Sequence, residues 1–401
     1  MKKTIITLLL FIIPMLSFSQ DSYNLTLGKG IKFDDDEETF AMQFNLRTQM
    51  LYEGFYTPEQ ANYVDRILIR RARLKFQGYA VSQKLTYKME LGLTNRDHGG
   101  GDIVETNNTA NIILDAFIKW NFYGNFILMA GQGKLPGNRE RVISSQALEF
   151  VDRSYVNSRF NIDRDIGIQL HYSFNVGNML FREQFSISQG EGRGVVIKND
   201  GGYDFTSRLE WLPFGTFTNK GDYFEADLER EQSPKLSIGV SFDTNKRAQR
   251  ERGQLGDFLG EPTDLSTYFI DGIFKYKGHS ILFEYCNKIA PKGAIVEIDT
   301  TDNDVSTSFY TGNGLNIQYS YVFPNNFHVA GRFTRVIPKD ELVFEGSEPV
   351  LELGNPLNQY TLGISKFISG HTVKIQSDIT YITQESIDNS FLFRLQFEIG
   401  I

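Results

Sequence analysis

The feature that most constrains the fold is a period-two alternation of apolar and polar residues that recurs along almost the whole chain. In residues 391–401 every odd-numbered position is apolar, and Arg394, Gln396 and Glu398 are among the residues between them. Alternation of this kind predicts a β-strand with one apolar and one polar face. Such strands suit a sheet that separates an apolar from an aqueous environment.

Counting such segments along the chain predicts about sixteen strands. They lie near residues 40–51, 66–77, 84–94, 112–122, 125–135, 165–174, 179–188, 203–212, 235–244, 266–277, 279–289, 314–323, 327–337, 360–369, 371–382 and 391–401. Strands of about ten to twelve residues, tilted by about 45°, cross an apolar layer of roughly 25 Å. A soluble β-sandwich, the alternative, usually has strands of about five or six residues. The sequence therefore predicts an all-β, transmembrane antiparallel β-barrel.

The connections between these segments alternate in length, as expected for a bacterial barrel with short periplasmic turns and longer external loops. The short ones include residues 78–83, 123–124, 175–177, 278, 324–326 and 370, and the long ones include 52–65, 95–111, 136–164, 245–265, 290–313 and 338–359. One interval breaks the order, because residues 213–234 should form a periplasmic turn and are long. We expect either additional structure there or an error in the strand count.

The N-terminus predicts export through a cleaved signal peptide. Lys2 and Lys3 precede a ten-residue apolar run at 4–13, which is too short to span a bilayer, and the small residues Ser17 and Ser19 follow it. We expect a signal peptide at 1–19, a periplasmic N-terminal segment at 20–39 and the barrel at 40–401. Such a protein would lie in the outer membrane of a Gram-negative cell.

Charge and cysteine content exclude several classes of protein. The formal net charge is −8 and becomes about −10 once the two lysines of residues 1–19 are removed, which disfavours nucleic-acid binding. Cys286 is the only cysteine, so an intrachain disulfide and a cysteine-ligated zinc site are excluded. The acidic run at 34–38 lacks the spacing of a calcium loop and is interpreted as a solvated stretch rather than a cation site. The sequence indicates no metal and no cofactor.

Several short motifs resemble the phosphate-selective porin O and P family of outer-membrane channels. They are GIKF at 30–33, RRARL at 70–74, GQGKLP at 131–136, SSQALEFVDRS at 144–154, DIGIQ at 165–169, RLEWLPF at 208–214 and KLSIGVSFDTN at 235–245. The resemblance spans essentially the whole chain after the signal peptide. It implies a sixteen-stranded porin, usually a homotrimer, that passes anions through a constricted basic pore.

The polar faces of the strands should line the lumen, where their charges set ion preference. Closure of the barrel makes the last two strands neighbours of the first three, and together these five strands carry a basic wall. Its members are Arg47, Arg71, Arg73, Lys75, Lys88, Lys374 and Arg394. A basic wall raises the local concentration of anions. The alternative is that these cations pair with nearby acids and only keep the lumen hydrated.

The longest external loop, residues 136–164, is the natural candidate to fold inward and narrow the pore. It carries Arg139, Arg141, Arg153 and Arg159, and guanidinium groups bind carboxylate or phosphate through two hydrogen bonds. These four residues are the predicted constriction set. An internal network of ion pairs that stiffens the loop is the alternative interpretation.

The sequence favours passive diffusion of small hydrophilic, preferentially anionic solutes and no enzymatic activity. One alternative is a plugged barrel that serves adhesion or envelope integrity. A second is a membrane hydrolase, for which His171 and Ser173, two apart on one strand face, are the only suggestive pair. A membrane lipase needs its serine and histidine on the lipid side, whereas this pair should face the lumen. The glycines at 99–101 lack the strand-to-helix context of a phosphate-binding loop.

Overall fold

The computed structural model describes residues 28–98, 104–199, 201–298, 305–339, 356–385 and 387–401. Within these ranges, a 17-stranded antiparallel sheet consists of one short N-terminal strand and a closed ring of sixteen. The ring closes where the last strand, Ile387–Gly400, pairs with Phe40–Thr57. The predicted β-barrel and its strand number are thereby confirmed. Among the described residues, no helix is long and apolar enough to span a membrane.

The strands are numbered in chain order. Their bounds are β1 Ile31–Asp34, β2 Phe40–Thr57, β3 Asn62–Ala80, β4 Ser82–Gly92, β5 Ile113–Tyr123, β6 Phe126–Lys134, β7 Arg164–Val176, β8 Met179–Ser188, β9 Asp204–Leu212, β10 Lys235–Arg250, β11 Phe258–Tyr276, β12 His279–Ile289, β13 Ile295–Ile298, β14 Val305–Ser308, β15 Thr311–Val322, β16 Phe327–Lys339, β17 Leu357–Ser369, β18 Val373–Gln384 and β19 Ile387–Gly400. The barrel consists of β2 to β12 and β15 to β19, and β13 pairs with β14 as a separate hairpin.

The alternation in the sequence separates a lipid-facing surface from the lumen. On β17, Leu362 and Ile364 are 68% and 61% exposed, whereas Thr361 and Ser365, which flank them in the sequence, are buried inside the ring. The exposed apolar side chains face the bilayer, which solvates them, and the buried polar ones face the lumen. The same segregation around the ring explains why a protein with so many exposed apolar residues can be stable.

Two predicted loops are shorter than expected, because the strands that flank them continue beyond the predicted ends. Strand β2 continues to residue 57 and strand β3 begins at residue 62, so most of the predicted loop 52–65 is strand. Strands β10 and β11 likewise consume most of the predicted loop 245–265. Both pairs carry polar residues on both faces in these extensions, for example Lys246 and Arg247. Backbone pairing between these strands therefore continues beyond the alternating segments from which the strand ends were predicted.

Connections at the two ends of the barrel differ. At one end, here called the turn end, most connections are very short, such as residue 81 between β3 and β4 and residues 277–278 between β11 and β12. At the other, the loop end, residues 93–112, 135–163 and 189–203 form long connections. Short turns face the periplasm in bacterial barrels, so we expect the turn end on that side.

The N-terminal chain is attached to the turn end. Strand β1 pairs with the start of β2, with Ile31 opposite Phe44. The acidic run at 34–38 forms the turn between them, in which Asp35 accepts hydrogen bonds from the Thr39 hydroxyl and the Phe40 amide. These bonds lower the pKa of Asp35. The predicted signal peptide and the glycines at 99–101 lie outside the described residues.

Two segments fold into the lumen from opposite ends. The long loop, residues 135–163, enters from the loop end and contains the short helices Arg139–Val142 and Tyr155–Phe160. The turn segment, residues 213–234, enters from the turn end and contains a 3-10 turn at Thr218–Tyr223. The long interval at 213–234 therefore holds additional structure, and the strand count was correct.

Apolar packing fixes both segments against one half of the barrel. Leu135, Val156 and Phe160 of the long loop pack on inward side chains of β11, β12 and β16, including Phe269. Ile143 and Leu148 join a second cluster with inward residues of β9, β11 and β12. The half of the lumen bounded by β9 to β18 is thus filled like the core of a soluble protein, and open space remains along the other half.

Candidate functional site

Two cavities adjoin in the open half of the lumen. The outer cavity, of about 840 Å³, is lined at the loop end by Arg96 and Arg193 and extends down to His171 and Gln184. The inner cavity, of about 660 Å³, reaches the turn end at Lys32 of β1. Three residues line both cavities: Lys88, Phe117 and Lys119. The two cavities together extend from one end of the barrel to the other along β3 to β8.

Cations outnumber acids around the outer cavity. Its lining contains nine arginines (70, 71, 73, 96, 141, 153, 164, 193 and 252), three lysines (88, 119 and 134) and five acids (Glu90, Asp97, Asp115, Asp152 and Asp163). The twelve cations therefore exceed the five acids by seven. The chain as a whole has a net charge of −8, so the lining of the outer cavity is positively charged although the protein is acidic.

Of the predicted basic wall, Arg71, Arg73 and Lys88 line the outer cavity. Lys88 forms ion pairs with Glu90 and Asp115 at 2.8 and 2.5 Å, and Arg73 pairs with Glu90 and Asp97. These acids hold the cationic side chains against the strands and neutralise part of their charge.

Arg47 and Lys75 line a side chamber of about 120 Å³ that shares Arg73, Glu90 and Ser144 with the outer cavity. The other two members of the wall are structural. Lys374 is buried and donates from Nζ to the carbonyl oxygens of Gln146 and Leu148 in the long loop. Arg394 binds both oxygens of Asp378.

The predicted constriction set is also divided. Arg141 and Arg153 line the outer cavity, where Arg141 pairs with Asp163 and Arg153 donates to the carbonyl oxygens of Glu140 and Ile143 at 2.7 Å.

The other two members of the set make different contacts. Arg139 is 0% exposed and binds Asp271 and Glu210 at 2.9 and 3.2 Å, so it anchors the loop to the filled half of the barrel. Arg159 contacts the hydroxyl of Tyr155 and lies over the ring of Tyr310.

Arg70 is a cavity residue that strict alternation misses. Across β2 and β3, Gln49 pairs with Arg71 and Met50 pairs with Ile69, so Arg70 is the extra residue of a β-bulge. The bulge turns Arg70 inward beside Arg71, and both bind Asp152. Two adjacent arginines in an alternating strand are the available signal, because one of them would otherwise face lipid at a cost of roughly 2–4 kcal/mol.

The inner cavity is lined by lysines rather than arginines. Lys119 of β5 lies 5.4 Å from the centre of the Phe117 ring and forms no ion pair with a carboxylate in the described part of the chain. Lys220 reaches the cavity from the turn segment, where Asn219 and Lys220 both have left-handed backbones, with φ of 50° and 56°. Glu231 supports this turn by accepting hydrogen bonds from the amide and hydroxyl of Thr218. No sequence pattern links residue 220 to the lumen.

Lys134 and Arg193 also line the outer cavity, and neither belongs to the predicted basic wall or to the constriction set. Lys134, at the end of β6, donates to three successive carbonyl oxygens at the end of the helix Arg139–Val142, at 2.8 to 3.1 Å. Arg193 lies on the connection 189–203 and donates to the carbonyl oxygen of Asp97 at 3.0 Å. Carbonyl oxygens satisfy the donors of these cations without cancelling their charge.

Comparisons with known proteins agree with this architecture. Residues 42–221 match the family model of phosphate-selective porin O and P, which confirms the resemblance seen in the motifs. No curated protein sequence matches the chain.

Solved structures share the fold at low identity. They include an anion-selective porin from Comamonas acidovorans (TM-score 0.56, 9% identity, covering 90% of this chain and 100% of that one) and a loop L8 deletion mutant of OmpT, an outer membrane protein of Vibrio cholerae (0.51, 11%, 90% and 99%). Salmonella typhi OmpF in complex with daunomycin is a third (0.50, 11%, 92% and 100%). At these identities the likeness concerns the fold. The family match and the barrel support outer-membrane porin function.

Proposed function

We propose that this porin prefers anions and passes small hydrophilic anions, including phosphate-like ones, through an off-axis pore formed by the two adjoining cavities. The observation that carries the proposal is the excess of seven cations in the lining of the outer cavity. One of these cations, Lys119, also lines the inner cavity, where Lys220 and Lys32 continue the series toward the turn end beside Asp34. An anion entering from the loop end would meet positive side chains along its whole path.

The physical basis is the fixed field of these side chains. Cations set in a low-dielectric surround raise the local concentration of anions and lower that of cations. Acids such as Glu90 and Asp115 keep the field moderate, because they neutralise Lys88 in part. A moderate field suits a channel, since an anion must leave the pore as readily as it enters. Of the basic wall and the constriction set, the members that line the outer cavity are the proposed sites of anion contact, and they are Arg71, Arg73, Lys88, Arg141 and Arg153. Buried Arg139 and Lys374, together with Arg394, are proposed to hold the long loop and the barrel wall instead.

The surrounding organisation is part of the proposal. We expect residues 1–19 to be removed during export, residues 20–39 to remain at the periplasmic side, and the barrel to assemble as a homotrimer in the outer membrane, as the family resemblance implies. The solutes and the membrane lipid are the expected partners, and no cofactor is expected.

A reversal potential measured on reconstituted channels in a KCl gradient tests the anion preference. We expect the reversal potential of the wild type to be shifted from zero toward the chloride equilibrium potential, and we expect this shift to be smaller in Lys119→Gln. Lys366→Gln is the matched control, because Lys366 lies at the turn end, over the ring of Phe327, and donates to the carbonyl oxygen of Asn325. Cation selectivity of the wild type, or equal shifts in both variants, would contradict the proposal.

The second candidate is a plugged barrel without transport. The filled half of the lumen favours it, because the long loop and the turn segment contact each other through the Glu149 amide and the Glu225 carboxylate at 2.8 Å. Planar bilayers separate the two candidates. A plugged barrel gives no stable current, whereas a porin gives discrete conductance steps.

We also propose that the chain has no enzymatic activity. His171 lies on the lumen side with its Nε2 3.0 Å from Oε1 of Gln169, beside the outer cavity and away from lipid. Lipid hydrolysis by the purified protein that is lost in His171→Ala would contradict this.

A further inference from the structure

Asp152, near the middle of the long loop, lies at the wall of the outer cavity between several arginines. Its Oδ1 accepts hydrogen bonds from Nη2 of Arg70 and of Arg71, both at 2.9 Å, and its Oδ2 accepts from Nε of Arg70 at 3.2 Å. Nη1 of Arg394 lies 4.0 Å from Oδ2. One carboxylate is therefore held by two guanidinium groups and approached by a third.

This arrangement is the geometry with which a protein binds a carboxylate solute. A guanidinium fork offers two parallel N–H donors to the two oxygens of a carboxylate, and Arg70 makes both of these bonds to Asp152. The side chain of Asp152 is 19% exposed and that of Arg70 is 13% exposed, so the group is reachable from the cavity. In the described part of the chain, Asp152 is the sole carboxylate that forms an ion pair with Arg70 or Arg71.

The loop does not depend on this side chain for its attachment. The amide of Val151 donates to Asp378 at 3.0 Å, and Arg332 donates to the backbone carbonyl oxygen of Asp152, also at 3.0 Å. Phe150 and Val151 are each 1% exposed. Backbone bonds and apolar packing on both sides thus hold residues 149–152 in place, and the carboxylate is an addition to that anchorage.

We infer that the Arg70–Arg71 pair is a binding site for carboxylate-bearing solutes and that the carboxylate of Asp152 is its built-in, displaceable occupant. The inference rests on the proposed function, because a solute must first enter the outer cavity. A tethered ligand competes at a high effective concentration, which lowers the apparent affinity for any free solute that uses the same donors. Asp152 would therefore keep the affinity of the site low, so that a bound solute is released quickly.

Asp152→Asn tests the inference, because it keeps the size of the side chain and removes its charge. We expect the variant to bind succinate roughly tenfold more tightly or better, since a hydrogen bond to a charged group corresponds to about that factor in affinity. The readout is the concentration of succinate that halves the single-channel chloride current in planar bilayers. Asp152→Glu restores a carboxylate and should return the affinity to within a fewfold of the wild type.

Glu53→Gln is the matched control for charge. Glu53 pairs with Arg66 and with Arg96, at 3.6 Å from the latter, and it makes no contact with the Arg70–Arg71 pair among the described residues. It changes the net charge near the loop end by the same amount. We expect it to shift the reversal potential without a comparable gain in succinate affinity.

Three outcomes would overturn the inference. The first is an equal gain in succinate affinity in Asp152→Asn and in Glu53→Gln. The second is a block by succinate that stays tight when Arg70→Gln is added to Asp152→Asn. The third is a rise in current that does not saturate with succinate, which would show that the loop has loosened. In each of these cases an anion-selective wild type would leave the proposed function standing. A cation-selective or silent wild type would instead refute the proposed function itself. Retained heat-modifiable gel mobility checks that each variant is folded.

Discussion

Replacing Arg139 by leucine should release the long loop while leaving the barrel intact. The guanidinium of Arg139 is fully buried, donates to Asp271 and Glu210, and also binds Ser237 Oγ at 2.8 Å and the carbonyl oxygen of Asp222 at 3.1 Å. The side chain therefore joins the long loop to the barrel and to the turn segment. Every strand-to-strand hydrogen bond is unaffected by its removal.

The expected effect follows from this environment. Removing one partner of a buried ion pair typically destabilises by about 3–5 kcal/mol, because the other charge is left buried and unpaired. Here Arg208 continues to bind both Asp271, at 2.7 Å, and Glu210, at 2.9 Å. We therefore expect a value near the lower limit, about 3 kcal/mol. At about 1.4 kcal/mol per factor of ten, the population with an opened loop should rise roughly a hundredfold.

Limited proteolysis after aromatic residues measures that population. The loop offers Phe150, Tyr155 and Phe160 as cleavage sites, and cleavage follows the opened fraction when opening and closing are fast. Arg141→Leu is the control, because the side chain of Arg141 is 16% exposed and should cost far less. An unchanged cleavage rate in Arg139→Leu would refute the view that this buried ion cluster holds the loop in the lumen.

Three further outcomes are expected. Gly131→Ala should lower the unfolding temperature far more than Gly124→Ala, because a Cβ at position 131 would lie 2.3 Å from a backbone carbonyl oxygen of β5, whereas nothing lies within 4 Å of one at 124. Burial and two neighbouring glutamates raise the pKa of Glu225 from 4.5 to about 8. The contact between turn segment and long loop should therefore weaken progressively as the pH rises from about 4.5 to about 8, and current noise should grow over that interval in the wild type and not in Glu225→Gln. Lys220→Glu should reduce anion selectivity, whereas Lys366→Glu should not, as measured by reversal potentials.

The strands were predictable because membrane and lumen impose opposite demands on alternate residues. Wherever a strand crosses lipid, as in β17 and β19, one apolar residue in every two marks it. The ends of β2, β3, β10 and β11 were not predictable in this way, since they extend past the lipid, where hydrogen bonding alone maintains the strand.

The pore was only partly predictable for a related reason. Alternation gives the face of a residue and identified Arg71, Arg73 and Lys88, yet it cannot anticipate a bulge, which is why Arg70 was missed. Nor can it say which half of the lumen is filled. Arg394 shares the lumen face of β19 and binds Asp378, which also accepts a hydrogen bond from the amide of Val151 in the long loop.

The filled half of the barrel also determines the energy of an ion in transit. A permeating ion would have the bilayer behind a single sheet on one side and a packed protein interior on the other. The charged groups of that interior, such as Arg139 and Asp271, are fixed in ion pairs, so neither surrounding reorients around an ion as water does. Its electrostatic self-energy is therefore higher than in a wide aqueous channel, and this barrier is the same for either sign of charge. The fixed cations of the lining lower it for anions and raise it further for cations. A weakly polarisable surrounding also strengthens the interaction between the ion and those cations, so the packing of the lumen would increase the discrimination that the lining charges produce.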